Sequence, residues 1–247
     1  MAKSAGIVII GDEILSGKFA DENAPFLIGQ LRPLGVSLRR VAIIPDEVAD
    51  IAGTVRDFAE RFDYVFTSGG VGPTHDDITM AGIARGFATR VVRHPELEAT
   101  LRDYMGESLT EAHLRFAEVP DGARLVFGDG ATWPVVAFEN VYILPGVPSI
   151  FQRKFLAIRQ QFRGEPFSLG RLYCSGDESD LARHLSEVVE RFPEVKLGSY
   201  PREDARDFKV IVTVESLDEA RARDAFAELK ARLEHVLVDD EPPAPVV

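Results

Sequence analysis

Short apolar runs alternate, through the first two thirds of the chain, with stretches in which hydrophobic residues recur every three or four positions. Gly6 to Ile10 is a continuous apolar run, the pattern of a strand buried on both faces. Ala24 to Leu34 reads as a helix that stops near Pro33-Leu34-Gly35, and Ser37 to Ile44 as the next strand. Ile51, Val55, Phe58 and Phe62 fall on one face of a second helix. Tyr64 to Thr67 is a third strand and Ile78 to Phe87 a further helix. Strand and helix in alternation predict a mostly parallel sheet sandwiched by helices.

Residues 94–120 read as polar helix. Arg124 to Phe127, Val135 to Phe138 and Val141 to Leu144 are strands so close in sequence that one or two must pair antiparallel, and Pro148 to Phe162 closes the domain as a helix with proline in its first turn. Gly164-Glu165-Pro166 marks a boundary. Beyond it the order is strand (169–174), helix (177–191), strand (195–200), strand (208–215), helix (218–233) and a short strand (236–238). Ser175 with Glu178 and Ser216 with Glu219 have capping-box spacing. The expected class is therefore α/β: a large domain over residues 1–163, a smaller α+β domain over 168–240, and a Pro-rich tail at 241–247.

The chain has 247 residues, 45% of them hydrophobic, enough to bury a core in each domain. A formal net charge of −12 argues against a nucleic-acid partner, and no Gly-x-x-Gly loop occurs between 165 and 240. No stretch approaches the ~18 apolar residues of a membrane span, and the first residues do not form a secretory signal. Cys174 is the one cysteine, so no disulfide closes within the chain and no Cys/His zinc spacing exists. A cytoplasmic setting is expected.

Candidate chemistry lies in four polar loops, each following a strand: Gly11-Asp12-Glu13, Pro45-Asp46-Glu47, Ser68 to Asp77, and Pro145 to Ser149. In an open parallel sheet such loops emerge together at the carboxyl edge, where ligands bind. In the third loop Gly69, Gly70 and Gly72 allow a close approach to backbone amides, and Thr74 offers a hydroxyl, which together suit a phosphate. The lysine and spacing of a Walker A loop are absent. Asp76 and Asp77 would repel phosphate unless a hard divalent cation lay between, so they are the expected metal ligands. Asp46 and Glu13 are candidates to position or deprotonate water, and His75 to donate a proton or touch phosphate. Gly11, Ser68, Pro145 and Gly146 complete the expected phosphate-binding set. The alternative is structural: Asp46 capping the helix that follows it, and Asp76 or Asp77 capping the next. Trp133 serves either packing or substrate stacking.

GDEILSG (11–17), IPDE (44–47), SGGVGPTHDDIT (68–79) and LPGVP (144–148) resemble the molybdopterin-binding-domain superfamily over residues 4–163. Within it, the THDD form of the loop and the attached second domain are most similar to the competence/damage-inducible protein A family, whose KH-like module follows the same domain. The equivalent domain of FAD synthases is also similar. Deamidase activity is not expected, because the sequence ends before the C-terminal amidohydrolase domain of that family. LPGVPSIF lacks the acidic residue often found after the second proline. The resemblance implies functional roles at Asp46 and Asp77. Its leading implication is hydrolysis of a diphosphate-linked nucleotide such as ADP-ribose or FAD with Mg²⁺, Mn²⁺ or Co²⁺. The alternatives are adenylyl transfer to molybdopterin, molybdopterin binding, or a regulatory ligand-binding module without turnover. It also implies a homo-oligomer, a dimer ahead of a trimer.

Overall fold

The computed structural model describes residues 2–128 and 133–246. The chain divides into two compact units, one of residues 3–31 and 36–163, the other of residue 2, 32–35 and 164–246. In the first unit the elements run β1 (Lys3–Ile10), α1 (Asp12–Leu15), α2 (Asn23–Leu31), β2 (Val36–Ile44), α3 (Val48–Arg61), β3 (Tyr64–Ser68), α4 (Thr79–Gly86), β4 (Val91–Arg93), α5 (Pro95–Met105), α6 (Glu111–Leu114), β5 (Glu118–Pro120), β6 (Arg124–Val126), β7 (Val135–Phe138), β8 (Val141–Leu144) and α7 (Pro148–Ile158). Among the described residues, six strands form one sheet in the order β2-β1-β3-β8-β7-β6. The β2/β1, β1/β3 and β3/β8 pairs are parallel, and β7 pairs antiparallel with both β8 and β6.

The sheet buries both faces because its strands carry apolar residues at successive positions. Val8, Ile10 and Val65 face a core built with Ile51, Val55, Phe58, Ile83 and Leu97 from α3, α4 and α5. On the other face Phe66 and Tyr142 pack at ring separations of 5.6 Å or less with Phe155 and Phe162. Phe26 of α2 meets Phe151 and Phe155 of α7 edge-on. Such aromatic pairs add roughly 0.5–1.5 kcal/mol each beyond the area they bury.

The β7–β8 turn anchors the end of α3. Asn140 Nδ2 donates to the carbonyls of Ala59 (3.0 Å) and Phe62 (2.7 Å), two acceptors left open where the helix stops. Its own carbonyl accepts from Val65 N at the start of β3.

The second unit holds β9 (Ser168–Cys174), α8 (Glu178–Arg191), β10 (Lys196–Pro201), β11 (Val210–Ser216), α9 (Glu219–Arg232) and β12 (Leu237–Pro245). Its sheet is antiparallel, in the order β10-β11-β9-β12, and packs Leu172, Cys174, Val212 and Val214 against Leu181, Val188, Phe226 and Leu229. The 32–35 segment belongs here: Gly164 N donates to Leu34 O at 2.8 Å, and Arg32 pairs with Glu215.

Four local expectations change. The Pro-rich segment is not a tail but the second half of β12, an edge strand, where prolines break no ladder on the open side; the register slips between Glu241 and Ala244, at Pro242-Pro243. Asp177 and Asp218 are the N-caps of α8 and α9, two residues later than the serine spacing predicts. Ser216 Oγ instead accepts from Asp218 N in a local turn, a competing use of the hydroxyl. The α2 helix ends at Leu31 and tightens into a 3₁₀ turn over Arg32–Leu34, since Pro33 lacks the amide to continue it. The β4–β5 ribbon is absent from the sequence reading because three-residue strands are too short to show a period.

Asn140→Ala leaves the α3 carbonyls unpaired and should cost about 1–2 kcal/mol. A lower urea midpoint at unchanged slope is the expected result, and an unshifted midpoint would remove the capping role.

Candidate functional site

Because β1, β2, β3 and β8 run parallel, their four following loops leave the sheet at one edge. The ladder fixes their relative positions: Ile10 lies opposite Ile44, Ile9 opposite Ser68, and Ser68 opposite Leu144. Gly11 N donates to Ile44 O (3.1 Å) and Gly69 N to Leu144 O (3.2 Å), carrying the pairing one residue into the loops.

Asp46 does not cap α3. The residue at that cap is Glu47, which makes no side-chain cap bond. The Asp46 carboxylate turns to the neighbouring loop, where its Oδ2 accepts from Asp12 N at 2.9 Å. Burial pushes the Asp46 carboxyl above the usual aspartate range. Repulsion from Glu13, Asp12 and Asp76 adds to this, against the opposing Asp12 N–H. Glu13, itself exposed, folds its carboxylate over Gly11, so closely that a Cβ at residue 11 would lie 2.6 Å from it. The first and third loops therefore place acids within electrostatic reach of Asp46.

In the third loop Gly69 (φ 107°) and Gly70 (φ 62°) adopt conformations that L side chains rarely take. Space forbids a side chain as well: a Cβ at 69 would lie 2.1 Å from Ile10 O, and one at 70 would lie 2.4 Å from Thr79 Oγ1. Thr79, fully buried at the start of α4, holds both carbonyls: its Oγ1 donates to Gly69 O (2.8 Å) and its N to Gly70 O (3.0 Å).

Asp77 does not cap α4 either. Its Oδ1 accepts from Gly72 N (2.6 Å), and its Oδ2 from Thr74 N (2.8 Å) and the Thr74 hydroxyl. Asp77 thus ties the loop to itself, with both oxygens already accepting. Asp76 and His75 point outward: His75 is 98% exposed, its Nδ1 3.8 Å from Asp76 Oδ1. The amides of Gly69, Gly72 and Thr74 are all engaged within the protein. The amides of Gly70 and Val71, in the glycine stretch itself, make no hydrogen bond to a described residue.

Ser68 is buried, and beneath the loop rather than on it: Asn23 Nδ2 donates to its Oγ (2.8 Å) and to Gly146 O (2.8 Å), joining the third and fourth loops. Gly146 and Gly69 touch; a Cβ at 146 would come within 3.3 Å of Gly69 Cα. Pro145 leads into this contact from the end of β8. Asn23 was missed by the sequence reading, although Asp21-Glu22-Asn23 before an amphipathic stretch is a helix-start signal: Asp21 accepts from the amides of Asn23 (3.0 Å) and Ala24 (3.1 Å). Arg115 was missed too. Its NH1 donates to Pro73 O (2.7 Å), placing a half-buried cation beside the glycine loop. Trp133 packs against the core.

Among the described residues no three of His, Cys, Asp or Glu are grouped to enclose a metal ion. The donor set instead suits an ion that arrives with a phosphate and takes one or two carboxylates here, the habit of Mg²⁺. Asp46 is the group such an ion would relieve most, being crowded by acids. No helix among the described residues is long and apolar enough to cross a membrane.

Comparison with known proteins supplies the lineage. Residues 166–241 match the FAD synthase middle domain. A probable FAD synthase from Caenorhabditis briggsae is 34% identical over 242 residues, covering 87% of this chain and 46% of that protein. The chain thus spans about half the length of the first such relatives, a second one, from Caenorhabditis elegans, being covered to 47%. A protein from Archaeoglobus fulgidus is 34% identical over 79% of this chain and 85% of its own. The crystal structure of CinA from Thermoplasma acidophilum, described as of unknown function, superposes with a TM-score of 0.59 at 29% identity, over 66% of this chain and all of that one. Residues 6–162 match the probable molybdopterin binding domain, and with well over half of its length so matched, the chain belongs to that family.

Proposed function

We propose that the first unit hydrolyses a diphosphate-linked nucleotide such as ADP-ribose or FAD in the presence of Mg²⁺, Mn²⁺ or Co²⁺. The observation that carries this reading is Asp46: a half-buried carboxylate with a raised pKa, anchored by one oxygen to Asp12 N and set among acids at the mouth of a glycine loop. A raised pKa makes a carboxylate a better proton acceptor. The names of relatives as probable FAD synthases fit a site for a nucleotide diphosphate.

In this reading the free amides of Gly70 and Val71 face one phosphoryl group, with Arg115 as the nearby cation. Asp46 takes a proton from water on its free Oδ1 as the water oxygen bonds to phosphorus and the bridging P–O bond breaks, leaving two phosphomonoesters. A divalent cation carried by the diphosphate would screen its charge from the acids and polarise a phosphoryl oxygen. Asp77, Thr74, Thr79 and Asn23 keep the loop shaped for this without touching the reacting atoms. Glu13 adjusts the field at Asp46.

A second reading, adenylyl transfer to molybdopterin, is favoured by the family match over residues 6–162. Incubation with molybdopterin and Mg-ATP separates the two, since an adenylylated pterin forms only in a transferase.

Asp46→Asn keeps an acceptor for Asp12 N–H but cannot take a proton. Hydrolysis of ADP-ribose and FAD, measured with each metal, should fall by about 10²–10⁴-fold; an unchanged rate defeats the proposal. The wild-type rate should fall as pH drops through the raised pKa of Asp46. Stability runs the other way: the folded state favours protonated Asp46, so stability declines as pH rises from the ordinary aspartate range through that raised value. Asp46→Asn should therefore melt higher than wild type at pH 7 and lose this advantage in acid. Equal melting at both pH values would show that the burial and crowding of Asp46 have no energetic weight. Gly70→Ala, at φ 62° against Thr79 Oγ1, should cost about 1–3 kcal/mol and abolish turnover, read by thermal melting and the same assay.

A further inference from the structure

A second charged feature lies at the opposite edge of the large sheet. Ser4, Arg39, Arg40, Arg61 and Phe62 line a pocket of about 400 Å³. Ser4 is the second residue of β1 and Gly11 follows its end, so at ~3.3 Å per residue the pocket lies roughly 23 Å from the candidate active site.

The pocket is built by a fault in the strand ladder. The β1–β2 register slips between Ala5, opposite Leu38, and Gly6, opposite Arg40, which leaves Arg39 as an extra residue. Side chains of a regular strand alternate between faces; a bulge re-aims them, and here the successive residues Arg39 and Arg40 both line one pocket. Gly6, across from the bulge, has no Cβ because Phe58 and Phe62 occupy that space, at 2.5 and 2.7 Å from where it would be. Those two rings carry the guanidinium groups: Arg40 lies 5.6 Å from the Phe58 centroid and Arg61 5.6 Å from that of Phe62. Stacking of this kind orients a guanidinium before any ligand arrives.

The local charge balance is positive in a chain whose formal net charge is −12. Lys3 and Asp63 neutralise each other at 2.8 Å, with the Asp63 carboxyl lowered to about 2 by Lys3 and by Ser4. Asp57 is the carboxylate that pairs with the pocket's arginines, 3.0 Å from Arg61 and 3.9 Å from Arg40. Arg39 makes no ion pair with a described residue. One carboxylate against three guanidinium groups leaves an excess of two positive charges, and guanidinium forks match phosphoryl oxygens in pairs.

We propose that this pocket is a binding site for a small phosphate-bearing anion, separate from the candidate active site. Arg39 and Arg40 clamp the phosphoryl oxygens, and Arg61, paired with Asp57, forms the wall of the pocket. The same chemistry admits inorganic pyrophosphate and a nucleoside monophosphate, and the titrants distinguish them.

The test uses the full chain labelled with ¹⁵N, with EDTA present to suppress any cation-dependent binding. Sodium pyrophosphate and AMP are titrated separately to about 10 mM, tenfold above a ~1 mM dissociation constant. Saturable amide shifts are expected at Ser4, Arg39, Arg40 and Phe62 with at least one titrant, weakening as NaCl is raised. Pyrophosphate alone identifies an inorganic ligand, and AMP a phosphomonoester. Arg39→Gln with Arg40→Gln should weaken binding at least tenfold while leaving the melting temperature and any hydrolytic turnover unchanged. Gly70→Ala should leave these shifts in place. Absence of saturation with both titrants overturns the proposal, as does equal binding by the double variant; the single Arg39→Gln variant serves if the double variant does not fold.

Discussion

The closest approach between β1 and the glycine loop sets the geometry of the candidate site. Residue 69 sits so near the carbonyl of Ile10 that no side chain fits, and its φ of 107° brings the chain back over the end of the strand. Thr79 then holds the carbonyls of residues 69 and 70, and Asn23 bridges Ser68 to Gly146 from below. The loop is shaped by contacts on its buried side, and the amides of Gly70 and Val71 are left without a partner among the described residues. Strain of this kind persists only where the surroundings overdetermine it.

The acids carry the other half of the geometry. Asp46 lies part-buried beside Asp12, Glu13 and Asp76, and its raised pKa reflects burial first and their repulsion second. Asp12 N–H holds that carboxylate in place instead of letting it swing away to water. A charge arrangement that opposes folding and is nonetheless fixed by a hydrogen bond is the kind found where function sets the sequence. The arginine pocket is its electrostatic opposite: positive charge gathered by a strand bulge and held on aromatic faces at the other edge of the same sheet.

Much of this was legible in the residues. Apolar runs long enough to be buried on both faces announced the parallel strands, and strand-helix alternation placed the four loops at one edge. The glycines of the third loop and Asp46 stood out because they break the surrounding hydrophobic pattern without forming the usual turn. Three details were not legible. Asn23 and Arg115 reach the site from segments distant in sequence, across a buried hydrogen bond and to a loop carbonyl that no local pattern encodes. The expected amide cradle contracted because Asp77, whose carboxylate could as well have faced a metal, folds back on the amides of Gly72 and Thr74. The Pro-rich segment became an edge strand because β9 offers it a partner on one side only.

By itself, then, the sequence determined the elements, the two-part division of fold class and the set of loops that must meet, since local periodicity and turn chemistry act over a few residues. The tertiary structure decided which oxygen accepts from which amide, and so which aspartate keeps one oxygen free and which has both engaged. That choice depends on distances between chain segments 34 to 123 positions apart, such as Asp12 to Asp46 and Asn23 to Gly146, and these exist only once the sheet has brought its strand ends together.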